Sequence, residues 1–103
     1  MTSKKVLTYL GFAAKKRSLA VGYNTTEATV KNKKIFLVVI ARDISENSKE
    51  KIVKLCEKNN LDFEIYGTME ELSKATGNVE AGIFSVTDAN LSKAIKTEIR
   101  TIS

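Results

Sequence analysis

Histidine, proline and tryptophan are absent from this 103-residue chain, and cysteine occurs once, as Cys56. Without His there is no usual general base near neutral pH. The Ser-His and Cys-His nucleophile pairs and the commonest metal ligand are missing as well. One Cys forms neither an internal disulfide nor a multi-cysteine zinc site, which fits a reducing, cytoplasmic compartment. The lack of Pro and the presence of only five Gly argue against a disordered or collagen-like chain. No apolar run approaches the roughly 20 residues of a membrane-spanning helix, so no membrane partner is expected. Neither the glycine-rich dinucleotide fingerprint nor the Lys-Ser/Thr phosphate loop occurs, and Gly11 and Gly22 stand isolated. No cofactor and no metal is therefore expected.

What is present is the composition of an ordinary globular protein, 43% hydrophobic and 28% charged. A single domain over residues 1–103 can bury about two-thirds of its unfolded surface without a staple. The net charge of +5 is unevenly spread. Residues 1–34 hold eight bases (Lys4, Lys5, Lys15, Lys16, Arg17, Lys31, Lys33, Lys34) and one acid, Glu27, or +7. Residues 35–103 hold nine bases and eleven acids, or −2. A basic region this concentrated suits a polyanionic partner, although a solvated Lys-rich surface gives the same count.

The order of elements follows from periodicity and caps. Val6, Leu7, Leu10 and Ala14 share a helical face, which predicts a helix over 4–16 rather than a targeting peptide. Leu19–Val21 is a short apolar segment ending at Gly22. Asn24 stands three residues before Glu27, a capping-box spacing that predicts a helix over 25–33. The β-branched run Ile35–Ala41 predicts a strand covered on both faces. A helix over 46–59 presents Ile52, Leu55 and Cys56 inward. A strand over Phe63–Gly67 precedes the capping box Thr68–Glu71, a helix over 69–76 and a Gly77 cap. Gly82–Val86 is the last strand, and Thr87 or Asp88 caps a helix over 89–100. This order predicts an α/β fold, a three-layer α/β/α sandwich on a small, mostly parallel or mixed sheet.

Asp43 and Asp88 each follow a strand and precede a helix, where open α/β sheets place ligand groups. As a pair they would suit a magnesium-dependent catalytic or small-ligand domain; as separate residues they simply cap helices. The segment Gly22-Tyr23-Asn24-Thr25 opens a short polar helix between two groups of bases. Helix amides there could meet a phosphate or a base edge, or the segment could be a plain exposed helix start.

Several stretches in order carry a resemblance. They are Leu10-Gly11-Phe12-Ala13 with its basic tail and Gly22; Leu37 through Ser45; Asn47-Ser48-Lys49 leading to Leu55-Cys56; Glu71 through Gly77; and Val86-Thr87-Asp88. Across about residues 6–96 the chain resembles the kink-turn RNA-binding ribosomal protein superfamily, in its small bacterial branch of YlxQ and YbxF type. The resemblance implies a non-enzymatic, cytoplasmic, monomeric and ribosome-associated protein. Its partner would be structured RNA, a sharply bent duplex with tandem sheared G·A pairs in rRNA or mRNA. In that family a Gly-x-Asn-Glu stretch opens a helix onto the G·A pairs, with a Lys one turn on. Gly22 and Asn24 match; Thr25 holds the Glu position and Ala28 the Lys position. A Leu-Gly-x-Ala-x-Gly loop packs on the looped-out strand, and Leu72, Lys74, Ala75 and Gly77 fit it with Ser73 at its first Gly. The implied RNA-binding set is Lys15, Lys16, Arg17, Gly22, Tyr23, Asn24, Thr25, Ala28, Lys31, Arg42, Lys74, Gly77, Asn78 and Val79, with the 72–80 segment as a loop.

Overall fold

The computed structural model describes residues 2–102. Nine elements follow one another: α1 (Lys4–Lys15), β1 (Leu19–Val21), α2 (Tyr23–Val30), β2 (Leu37–Ile40), α3 (Glu46–Lys58), β3 (Phe63–Ile65), α4 (Met69–Thr76), β4 (Ile83–Val86) and α5 (Ala89–Ile102). The four strands form one sheet in the order β1-β4-β2-β3. β4 runs antiparallel to both β1 and β2, while β2 and β3 are parallel, so the sheet is mixed.

The two central strands explain the layers. Every residue of β2 and β4 is buried. Alternation along them sends Leu37, Val39, Phe84 and Val86 to one face. There they meet Val6, Leu10 and Ala13 of α1, Leu72 of α4, and Ile95 and Ile99 of α5. Val38, Ile40 and Ile83 point to the other face and meet Ile52 and Cys56 of α3, with Tyr23 and Val30 of α2 at the margin. The result is the expected α/β/α sandwich. Each fully buried aliphatic side chain contributes about 1.5–3 kcal/mol through the area it removes from water. Ile35 and Ala41 are buried as expected but lie outside the β2 ladder, which is three residues shorter than the apolar run.

Four helices start on side-chain caps. Ser3 accepts from the Lys5 amide, Ser45 from Ser48, and Thr68 completes its box with Glu71. Asp88 accepts from the Leu91 amide at 2.8 Å. The second helix departs from the sequence expectation. It begins at Tyr23 instead of Thr25, its N-cap is Gly22, and no side chain caps it. Gly22 has φ 94° and ψ 163°, a conformation open to Gly alone, and it turns the chain straight out of β1 into the helix. Asn24 therefore falls inside the first turn and makes no capping box with Glu27.

Three helices close on the same left-handed turn, with paired amide bonds back into the last turn. α4 uses Gly77 at φ 73°, α3 uses Asn60 at φ 55°, and α1 uses Arg17 at φ 58°. After α1, the Arg17 amide bonds Ala14 O at 3.1 Å and the Ser18 amide bonds Ala13 O at 2.8 Å.

Candidate nucleic-acid interface

β1, β2 and β3 run the same way and β4 runs against them, so the sheet has two distinct ends. At the near end, β1 to β3 finish and β4 begins. The Gly22 amide donates to Ile83 O at 2.9 Å, and the Ala41 amide to Gly82 O at 2.8 Å. The Arg42 amide donates to Gly67 O at 2.9 Å. These bonds set the start of α2, the 77–82 loop and Arg42 side by side. Asn24, Thr25, Arg42, Lys74, Gly77 and Val79 are exposed there, and Asn78 is half-buried.

The opening of α2 is chemically unusual among the five helices. Its first intrahelical bond is from the Thr26 amide to Gly22 O, at 3.1 Å. The amides of Tyr23, Asn24 and Thr25 have no partner among the described residues. Three free N–H groups and the positive end of the helix dipole point outward beside the Asn24 carboxamide. Thr26 anchors the helix from beneath, sharing a buried 2.7 Å hydrogen bond with the Ser85 hydroxyl of β4. Tyr23 is half-buried. Its ring packs at the α3 margin, with Lys51 Nζ 4.7 Å from the ring centre.

The 72–80 segment is a loop only from Gly77 onward. Leu72 and Ser73 are buried in α4, because the Thr68 box starts the helix and Gly77 ends it. Ser73 has a role that the residue pattern did not reveal. Its hydroxyl donates to Ala81 O at 2.9 Å and accepts the Ala81 amide at 2.8 Å, and its carbonyl accepts the Asn78 amide. One side chain thus clamps both strands of the loop. The signal lay in the sequence, as a Ser at a position where the resembled frame has Gly. The clamp holds Val79 out in solvent, 87% exposed, next to Glu80 at φ 49°. A shallow cleft of about 700 Å³ runs from Asp43 and Met69 past Lys74 to Val79.

The basic triplet is divided. Lys15 lines a cleft of about 760 Å³ with Gly11, Phe12, Lys74 and Gly77. Lys16 and Arg17 precede β1 at the far end, where the Thr87 amide donates to Ser18 O at 2.9 Å. They do not flank Gly22 and Asn24. Arg17 and Gly22 are five residues apart along an extended segment, up to about 17 Å. α2 runs from the near end to the far end, so Lys31 and Lys33 join Arg17 there. Lys16 is paired with Asp88, whose carboxyl sits below the ordinary carboxylate range. The main cause is the hydrogen bond from Lys16, followed by the Leu91 amide.

The carboxylates are likewise at opposite ends. Asp43 follows β2 at the near end and accepts the Met69 amide at 2.8 Å, capping α4 rather than the helix that follows it. Asp88 follows β4 at the far end. They cannot share a metal or act as an acid/base pair. Among the described residues no three His, Cys, Asp or Glu side chains come together as a metal site. Cys56 is buried, and burial, helped by Glu57, pushes its thiol up to about 11. No helix among the described residues is long and apolar enough to cross a membrane.

The profile of the ribosomal protein L7Ae/L30e/S12e/Gadd45 family matches residues 4–96. The chain belongs to that family. Among solved structures, a Bacillus halodurans protein described as having unknown function is 28% identical, with a TM-score of 0.87 over 95% of this chain and 99% of the other. The Giardia lamblia 15.5kD RNA binding protein is 20% identical, with a TM-score of 0.76 over 96% and 88% of the two chains. At that identity the likeness concerns the fold. No curated protein matches the chain by sequence. The L7Ae/L30e/S12e/Gadd45 match takes in both sheet ends, the open start of α2 and the Ser73-clamped loop.

Proposed function

We propose that this protein is a non-catalytic, monomeric, cytoplasmic RNA-binding protein that recognises kink-turn or similarly bent RNA, in association with the ribosome. One observation carries the reading. Of five helices, α2 alone starts without a side-chain cap, and it does so on an exposed turn beside a rigid loop. A cap would occupy the amides that an RNA acceptor needs. Family membership and the fold shared with an RNA-binding protein support the choice of RNA.

The mechanism follows from the geometry. Regular A-form grooves are poorly readable, so proteins grip bends, bulges and splayed bases. The Tyr23, Asn24 and Thr25 amides donate to acceptors on bases or phosphates at the bend. The Asn24 carboxamide both donates and accepts, so it can match a base edge. Val79 offers an apolar surface to an unstacked base, and Arg42 and Lys74 neutralise phosphates. The test is a titration of end-labelled kink-turn RNA, read by the change in end-to-end distance, against a matched straight duplex. Tighter binding to the kink-turn with closure of the bend is expected. Equal affinity for both RNAs without closure would refute the bend-reading role. Cosedimentation of the protein with ribosomal particles in low salt tests the ribosomal association.

A further inference from the structure

The cleft of about 760 Å³ that Lys15 lines is a groove between α1 and α4, and no residue of α2 borders it. Gly11 brings the two helices together. A Cβ there would stand 3.1 Å from Ala75 O, so a larger residue would push α4 away. Leu7, Phe12 and Ala14 of α1 and Ala75 of α4 give the groove a mainly apolar lining. Phe12 is 48% exposed and belongs to neither core cluster. It shares a helical stripe with Lys5, Thr8 and Lys15, which are exposed as well. Joined to the groove beside it, the ring forms a continuous apolar patch with a polar rim, the kind of surface that marks an interaction site.

The polar groups of the lining are mostly engaged. Thr76 Oγ1 donates to Leu72 O at 2.8 Å and accepts from Asn78 Nδ2 at 2.9 Å. Glu71 Oε1 accepts from the Thr68 amide at 3.1 Å and from Thr2 Oγ1 at 2.8 Å. Lys15 and Lys74, one from each helix, have no acid partner among the described residues. The charged groups left to meet a partner are therefore both cations.

We propose that the α1–α4 groove docks an acidic amphipathic helix of a protein partner, with its apolar side chains against Phe12 and Ala75 and its carboxylates on Lys15 and Lys74. The proposal goes beyond RNA recognition and does not depend on it. Helices bind grooves through apolar anchors at i, i+3 or i+4 and i+7, which span about 10 Å along the axis. The sign of the partner follows from charge complementarity, since the rim offers two free ammonium groups and no free carboxylate. Other occupants fit less well. A sugar–phosphate strand would lay polar groups over Leu7, Ala14 and Ala75. A second copy of this chain would bring its own Lys5 and Lys15 towards the same cations. A small ligand needs convergent directional groups, and Thr76 and Glu71 are already used inside α4.

The test begins with displayed helical peptides of about 16 residues, enough for four turns, selected on the full chain and counter-selected on Phe12→Ser. Enrichment of apolar residues at three- and four-residue spacing flanked by Asp or Glu is expected. An enriched peptide made synthetically should lose at least about tenfold in affinity for Phe12→Ser, the loss of a central anchor. Lys15→Glu should weaken it too, and added salt should weaken it on the native chain. A thermal melt confirms that Phe12→Ser is folded, and its affinity for kink-turn RNA should match that of the native chain. No enrichment, enrichment of neutral or basic peptides, or equal binding to Phe12→Ser overturns the proposal. A benzophenone amino acid in place of Phe12 then reports the occupant in cells. A nuclease-resistant protein adduct that the selected peptide competes away supports the acidic helix. An adduct removed by nuclease, or one joining two copies of this chain, overturns it in favour of RNA or of self-association.

Discussion

Replacing Asn24 by Ala separates stability from recognition, because the structure gives this side chain no capping bond. If Asn24 capped α2, its loss would cost about 1 kcal/mol, or about 4–8 °C of melting temperature in a domain of this size. It instead lies one residue into the first turn, with Gly22 as the cap. Ala is the better helix former by up to about 0.7 kcal/mol, so the melting temperature should hold or rise by a few degrees. RNA affinity should move the other way. A lost base-edge contact of about 1–3 kcal/mol corresponds to about 5- to 150-fold in affinity. That loss should fall on kink-turn RNA, with the straight duplex nearly unaffected, since duplex binding rests on phosphates. The assay is a thermal melt together with parallel titrations of the two RNAs at one salt concentration. A melting temperature 4 °C or more lower would show that the carboxamide caps the helix in solution. Equal weakening on both RNAs would refute base reading by this turn.

Four further outcomes follow from particular contacts. Gly82→Ala would place a Cβ 2.2 Å from Ile44 Cγ2 and 3.3 Å from Met69 Cγ. Overpacking of that kind costs about 1–3 kcal/mol, measurable by urea unfolding. Ser73→Ala strips both partners from Ala81 and should cost about 1–3 kcal/mol, with hydrogen exchange accelerated more at the Ala81 and Asn78 amides of the loop than at amides within α4. Cys56, with its thiol pushed up to about 11, should react with a thiol reagent at pH 8 only as fast as the protein opens, so urea should accelerate the reaction along the unfolding curve. Asp88 has its folded value lowered by Lys16 and the Leu91 amide, so the stability it confers is complete above the ordinary carboxylate range and is lost as pH falls below about 4. Asp88→Asn, which still caps, should flatten that acid limb in a pH series of melts.

Much of the fold was legible because local and long-range signals agree. The β-branched run through Leu37–Ile40 and the Thr68–Glu71 box with Gly77 each have one low-energy solution, and the chain adopts it. The error at α2 has a physical source. A capping-box spacing is a local preference, and it lost to a Gly already required by the turn out of β1. The direction of β4 could not be read from composition. It decides that Asp43 and Asp88 lie at opposite ends, and that Lys16 and Arg17 lie far from Asn24. Residues adjacent in sequence are held together by the chain, but strand direction alone decides which loops meet. The near-end set of Gly22, Asn24, Arg42, Gly77 and Asn78 needed two antiparallel pairings to assemble.

The two ends of α2 differ in a way that bears on how charge is used. At its start, the free amides make the helix end attractive to anions, and no base sits in the first turn. At its finish, Lys31 is the cap residue, with Lys33 and Lys34 just beyond. Cations there favour the negative end of the dipole by about 0.3–1 kcal/mol, so these lysines stabilise the helix whether or not RNA is bound. The same gain applies to Lys16 and Arg17 at the end of α1, and Arg17 also carries a left-handed backbone. A non-Gly residue in that region costs about 1–3 kcal/mol, which the surrounding turn must hold in place.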